Sequence, residues 1–349
     1  MKHFALAALL APIALLASDA KTHAASAPPA EQASFTLPAW AVALPSDDVS
    51  DAERDAIQHE ARAFARSAPT QATRELLAHL TGPSARCGRA HSAALAGAFS
   101  ADIDPTEITV AVESSSVACT EVVIETAGFV PNPDRSLAAA LLERTRFQAN
   151  DDVRHAAWLA YGSIAETARG RGDGDLAGSI DATLAGRLAS ASGEERLLMV
   201  RAAGNAGCVA CAPVLAEDAT SHDDVLRRTA IAAHRFLGTK DSVDRMCGAL
   251  EADGDGTARD LAAWALEWRS NDGADRAHCL ERAATRDRSK AVRLQAVRAL
   301  GILADDAPEA HDALARLADR RGDVGALALQ TLDVRRGSEI VADDWMVLR

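Results

Sequence analysis

Aromatic side chains are scarce in this chain of 349 residues: they make up 4% of it, with one Tyr, seven Phe and five Trp. Strands draw on aromatic and β-branched residues, so the shortage argues against a β-sandwich and for helices packed through small aliphatic side chains. Positive charge is short as well, at a formal net charge of -13. No nucleic-acid partner is expected, and no anionic membrane surface, because both need a basic face. Only four of the basic residues are Lys, a bias that reflects codon usage before chemistry. Catalytic signatures are missing too: there is no GxSxG, no HExxH, no phosphate-binding loop and no glycine fingerprint after a strand. His91, His155, His234 and His278 are scattered and define no catalytic pair by spacing. The expectation is a protein that is not an enzyme and holds no cofactor.

Long apolar runs are confined to the N-terminus. "MKHFALAALLAPIALLASDAKTHAA" has a basic Lys2, an apolar run from Phe4 to Ala17, and small residues at Ser18 and Ala20. That is the layout of an export signal cleaved after Ala20. The run is shorter than the roughly 20 residues a spanning helix needs, and no later segment is long enough, so the mature chain is expected to lack a membrane span. A retained N-terminal anchor is the competing reading. No Cys stands near the cleavage point, which argues against a lipoprotein. Export to a bacterial periplasm or the medium makes the six cysteines candidates for disulfides, since the compartment is oxidising and their number is even.

Residues 21–50 are rich in Ala, Pro and Ser without a sustained period, and read as a linker. Residues 51–337 read as helical almost throughout, opening with "SDAERDAIQHEARAFA", where Ser50 is an N-cap followed by acidic residues. A repeat is visible when second helices are aligned: "DDVRHAAWLAYG", "EERLLMVRAAG", "DVLRRTAIAAHR", "TARDLAAWALE", "KAVRLQAVRALG" and "GDVGALALQTL". A small or apolar inward position recurs at Ala157, Met199, Ala230, Ala262, Ala296 and Ala328, with weaker copies at Ala90 and Val123. The steps are 33, 34, 42, 31, 32, 34 and 32 residues, so one unit carries an insertion, placed in the Gly-rich stretch "RGRGDGDLAG". A two-helix unit of this size buries its apolar stripe only by stacking on neighbours. The predicted architecture is all-α, a solenoid of about eight helical hairpins. The tail at 338–349, "SEIVADDWMVLR" with its preceding turn, is a candidate cap.

In this spacing the chain resembles the HEAT-repeat family, most closely its short bacterial type. A narrower likeness lies in "LAYGSI" and "RAAGNAG", which resemble paired signatures of the helical domain of vitellogenins and related large lipid transfer proteins. The β-sheet domains that wall the lipid cavity there have no room in this chain, so the resemblance implies the helical scaffold and leaves lipid binding as an alternative.

Cys247 and Cys279 are 32 residues apart, one repeat length, in the first helices of consecutive units; Cys87 and Cys119 are also 32 apart, read as lying in consecutive second helices. Neighbouring helices about 8–10 Å apart bring such positions within disulfide reach, so the pairings Cys87–Cys119 and Cys247–Cys279 are predicted. Cys208 and Cys211 in "GNAGCVAC" are read as a local disulfide, with a redox pair and half of a metal site as the alternatives. The redox reading lacks a βαβ setting, and the metal reading lacks two more ligands.

Arg154, Arg196, Arg227, Arg259 and Arg293 share one position of successive second helices. They read either as a ladder lining a groove for acidic ligands or as structural partners of the acids upstream of them, Asp151, Asp152, Glu194, Asp223 and Asp255, which stand near helix N-termini where they can cap and pair with Arg across units. HEAT repeats commonly show such an Asp and Arg pattern. Trp264 and Trp268, one turn apart, and Trp158 are candidates for an exposed apolar anchor or for core filling. The loops at 251–260 and 171–178 are acidic but lack the full calcium ligand set, so no metal is expected. Taken together, these features predict an exported binding scaffold that holds a protein or peptide on the concave face of the solenoid. A lipid binder and a thiol redox protein are the alternatives.

Overall fold

The structure, a computed structural model, describes residues 50–67, 69–81, 87, 91, 94–95, 97, 104–114, 119–146, 150–268 and 273–338. The export signal, most of the linker, Ala90 and the tail beyond residue 338 lie outside these residues. Sixteen α-helices follow one another among the described residues: α1 (Asp51–Ser67), α2 (Pro69–Thr81), α3 (Pro105–Ser114), α4 (Thr120–Ala127), α5 (Arg135–Arg144), α6 (Asp151–Gly170), α7 (Gly174–Ser190), α8 (Gly193–Ala206), α9 (Ala212–Asp218), α10 (Asp224–Ala233), α11 (Lys240–Ala252), α12 (Gly256–Ala265), α13 (Gly273–Arg286), α14 (Lys290–Leu303), α15 (Pro308–Ala318) and α16 (Asp323–Ser338). No strand occurs among the described residues, and none of their helices is long and apolar enough to cross a membrane.

Short polar side chains start these helices by accepting the otherwise unpaired first-turn N–H groups. Ser50 and Glu53 form a reciprocal box, Glu53 N to Ser50 Oγ at 3.3 Å and Ser50 N to Glu53 Oε2 at 2.9 Å. Asn150 caps α6, Asp173 caps α7, Asp223 caps α10 and Asp255 caps α12, all through side-chain oxygens. The caps recur because the chain reverses between helices once per half repeat.

Helices pair as hairpins, α3 with α4, α5 with α6, and so on to α15 with α16, and the second helices α4, α6, α8, α10, α12, α14 and α16 each pack on the next. This is a HEAT-like α-solenoid, built from contacts between neighbouring hairpins. Its inner seam uses the residues that the repeat marks: Ala157, Met199, Ala230, Ala262, Ala296 and Ala328 are wholly buried, and Val123 nearly so. Small side chains there let helix axes come close. Two glycines on second helices show how close the approach is. A Cβ on Gly162 would lie 2.2 Å from the Ala202 carbonyl oxygen, and one on Gly204 would lie 2.6 Å from the Ala233 Cα. These glycines belong to the "LAYGSI" and "RAAGNAG" segments, so close helix packing accounts for both.

The insertion lies at the expected stretch but is not a loop: seven of the ten residues of "RGRGDGDLAG" are helical, Arg169 and Gly170 ending α6 and Gly174 to Gly178 beginning α7. Asp173 makes this possible by accepting from Leu176 N at 3.0 Å, which starts α7 after a three-residue turn. The extra residues lengthen two helices, to 20 in α6 and 17 in α7.

Candidate functional site

The arginine column has a structural use in its central rungs. Arg196 in α8 makes two bonds to Asp218, at 2.9 and 3.0 Å, and a third to the Leu188 carbonyl at 2.7 Å. Arg227 reaches Asp253 at 3.2 Å and the Ser221 carbonyl at 2.8 Å. Arg259 binds Asp287 at 2.7 and 3.1 Å and the Asp253 carbonyl at 2.8 Å. Each guanidinium thus joins the turn of its own hairpin to an acid at the end of the next first helix. Of the acids upstream, Asp223 and Asp255 cap their helices, Asp255 also takes Arg228 of the preceding unit, and Asp151 pairs with Arg154, but the cross-unit partners of Arg196, Arg227 and Arg259 are Asp218, Asp253 and Asp287. Arg293 donates to the Asp287 carbonyl at 2.8 Å. These arginines are engaged inside the stack and do not line an open groove.

The three cysteine pairs stand as disulfides. Cys247 in α11 and Cys279 in α13 have Cα atoms 5.8 Å apart, in the first helices of consecutive hairpins. Cys87 and Cys119 are 5.3 Å apart at Cα, but neither is in a helix: Cys119 is the residue before α4, and Cys87 lies outside regular structure. Cys208 and Cys211 bridge one turn, also 5.3 Å apart at Cα. Both are fully buried, and Cys208 Sγ accepts from Cys211 N at 3.1 Å. Gly207 before them is left-handed, at φ 57°, the conformation that ends α8 cheaply. Beneath this turn, burial pushes the Asp181 carboxyl up, against the Arg169 ion pair at 2.8 Å that lowers it.

Trp264 and Trp268 are half-buried and packed on each other rather than free. Their rings stand edge to face at 5.7 Å, Trp268 meets Phe236 at 5.6 Å, and the Arg235 guanidinium lies 4.7 Å from Phe236 and 5.4 Å from Trp264. Burial holds the Arg235 pKa down to about 10, with Glu166 acting the other way. Arg235 also donates to Asn205 at 2.5 Å, so the cluster ties α8 to α12. Three acids of the two loops considered for calcium are committed in the same manner. Asp253 and Asp255 take Arg227 and Arg228, and Asp173 caps α7.

The open feature lies where the repeat register breaks. The first helices α5 and α7 share little direct contact, as do α7 with α9 and α9 with α11, unlike α11 with α13 or α13 with α15. Between them is a cleft of about 400 Å³, walled by Leu142, Thr145 and Arg146 from the end of α5, Arg154 and Trp158 from α6, and Thr183 and Arg187 from α7. Trp158 is buried, edge-on to Tyr161 at 6.1 Å, with Arg187 5.8 Å from its ring centroid. The ion-pair partners of the three arginines are exposed: Glu143 at 2.8 Å, Asp151 at 3.0 Å and Glu195 at 2.8 Å. Exposed pairs of this kind contribute about 0–1 kcal/mol, so an incoming anion displaces them at small cost. Arg154 and Trp158 were legible as candidates; Arg146, Thr183 and Arg187 carry no repeat signal and come from helices whose spacing the insertion alters.

No family model matches the chain, and no curated protein matches it. Solved structures do, at low similarity: an engineered protein (16% identity, 84% of this chain and 87% of that one, TM-score 0.35), human deoxyhypusine hydroxylase in complex with glycerol (16%, 79% and 99%, 0.33), and the CpcE–CpcF complex of phycocyanin lyase from Nostoc sp. PCC7120 (14%, 89% and 99%, 0.39). The likeness to the vitellogenin helical domain finds no support among them.

Proposed function

We propose that this chain is an exported, non-catalytic scaffold that holds a protein or peptide partner, with the cleft between α5 and α7 as its anchoring point. The observation that carries the reading is the contrast between that cleft and the rest of the stack. Arg196, Arg227 and Arg259, Trp264 and Trp268, and the loop acids Asp253 and Asp255 are engaged in contacts between hairpins, whereas Arg146, Arg154 and Arg187 line accessible space of about 400 Å³; a second space of about 360 Å³ beside Arg144 and Arg146 is lined by Glu113 and Glu143 as well. Rigid repeats present such surfaces without needing an active site. Three cysteine pairs at disulfide distance fit an oxidising compartment, in keeping with the export signal. A redox role for Cys208 and Cys211 is weakened by the full burial of both sulfurs, since thiol exchange requires access.

A photo-reactive residue placed at Thr183 in the producing cell tests the reading. It should form one dominant adduct with another protein, lost when Arg154 and Arg187 are both changed to Gln. Absence of any adduct at Thr183, at Trp264 and at the exposed face of α14 would remove support for a scaffold.

A further inference from the structure

We infer that the cleft recognises a carboxylate carried by an apolar segment of an acidic peptide, an inference that rests on the scaffold reading and adds the chemistry of the partner. The ladder itself points to this. In three rungs the second-helix arginine meets an acid at the end of the following first helix: Arg196 with Asp218, Arg227 with Asp253, Arg259 with Asp287. Arg154 holds the same position in α6, but α7 ends in Leu188, Ala189, Ser190, Ala191 and Ser192, with no acid. The rung is therefore short of one carboxylate. Its side chain is 39% exposed where that of Arg196 is 18%.

Two further arginines converge on the gap instead of an acid, so three like charges share one cleft in a chain of net charge -13. Guanidinium forks match a carboxylate through paired hydrogen bonds. Trp158 and Leu142 supply the apolar wall, and the volume suits one or two peptide residues rather than a bare ion. A ligand carboxylate completes the rung from outside, either an Asp or Glu side chain or a peptide C-terminus.

Calorimetry with unlabelled hexapeptides of alternating Leu and Glu, each with a free or an amidated C-terminus, separates the two sources. Binding that survives amidation assigns the side chain; binding lost on amidation assigns the terminus. The amidated Gln-for-Glu peptide should bind at least about tenfold more weakly, as should the Glu peptide to Arg154→Gln or Arg187→Gln, while exposed Arg320→Gln leaves affinity unchanged. Thr183→Asp supplies an acid from the protein itself, and should abolish binding while raising the melting temperature. Equal binding of the free-acid Glu peptide and the amidated Gln peptide, no binding of any peptide, or displacement by inorganic phosphate at similar concentration overturns the inference. If the peptides fail while adducts persist at Trp264 or α14, the carboxylate site falls and the scaffold stands.

Discussion

Arg259 and Asp287 lie 28 residues apart in sequence and meet through two bonds of 2.7 and 3.1 Å, with side chains only 4% and 5% exposed. Removing one partner strands a buried charge, which costs about 3–5 kcal/mol. Asp287→Asn should therefore lower the urea midpoint sharply, whereas Arg316→Gln, which breaks an exposed pair with Glu281, should cost under about 1 kcal/mol. Similar losses in the two variants would show that the rungs do not tie hairpins together. Burial raises the Asp287 pKa, but the bonds from Arg259 and from Ser289 N outweigh it and leave the carboxyl below its ordinary value. The stability it gives is present above about pH 4, the unfolded value, and is lost as pH falls through the lower folded value.

His234 is buried, with Nδ1 3.0 Å from Ser242 Oγ. Burial holds its pKa down to about 4, against a backbone contact at Leu215 that raises it and with Arg245 adding to the depression. The unfolded chain takes up that proton near pH 6.5, so stability should fall between about pH 6.5 and 4, by on the order of 3 kcal/mol. His234→Gln should flatten that slope in urea titrations at pH 7, 5.5 and 4.5. An unchanged slope would mean that the ring is protonated in place.

The long disulfide should matter more to stability than the short one. Cys247–Cys279 closes a 32-residue separation and Cys208–Cys211 one of three. Loop closure on the longer scale restricts the unfolded chain by about 3–4 kcal/mol. Replacing Cys247 and Cys279 by Ala should depress the melting temperature more than replacing Cys208 and Cys211. In the native protein the buried Cys208–Cys211 bridge should resist mild dithiol. Free thiols appearing at those positions before any unfolding would revive the redox reading.

Gly162→Ala and Gly204→Ala each force a Cβ into a neighbouring helix, and overpacking of this kind costs about 1–3 kcal/mol. Gly178→Ala and Gly186→Ala point into open space on α7, and should be neutral or stabilising by up to about 1 kcal/mol. Thermal melts of the four variants check the difference in sign.

The stack was readable in the sequence because its seam is made of alanine. Ala157, Ala230, Ala262 and Ala296 recur at the repeat length, and each is wholly buried. The cross-unit ion-pair partners were not readable: Asp218, Asp253 and Asp287 lie 22 to 28 residues beyond their arginines, whereas of the nearer acids Asp223 and Asp255 are caps and Asp151 pairs within its own helix. The Gly-rich composition at 169–178 read as a loop, yet one cap at Asp173 suffices to start a helix through it. The cleft was hidden for the same reason, since it opens only once α6 and α7 are known to be long.

Single-file stacking is tested most directly by dipolar distances between spin labels on second helices, carried on noncanonical residues that leave the disulfides intact. Labels at Arg201 on α8 and Val225 on α10 sit one step apart, and those at Arg201 and Arg298 on α14 three steps. With axes about 8–10 Å apart per step, and Val225 offset about 10 Å along its helix from the register of Arg201 and Arg298, the second separation should exceed the first by roughly 11–15 Å. Equal separations would mean that distant hairpins pack together, and would contradict the stack.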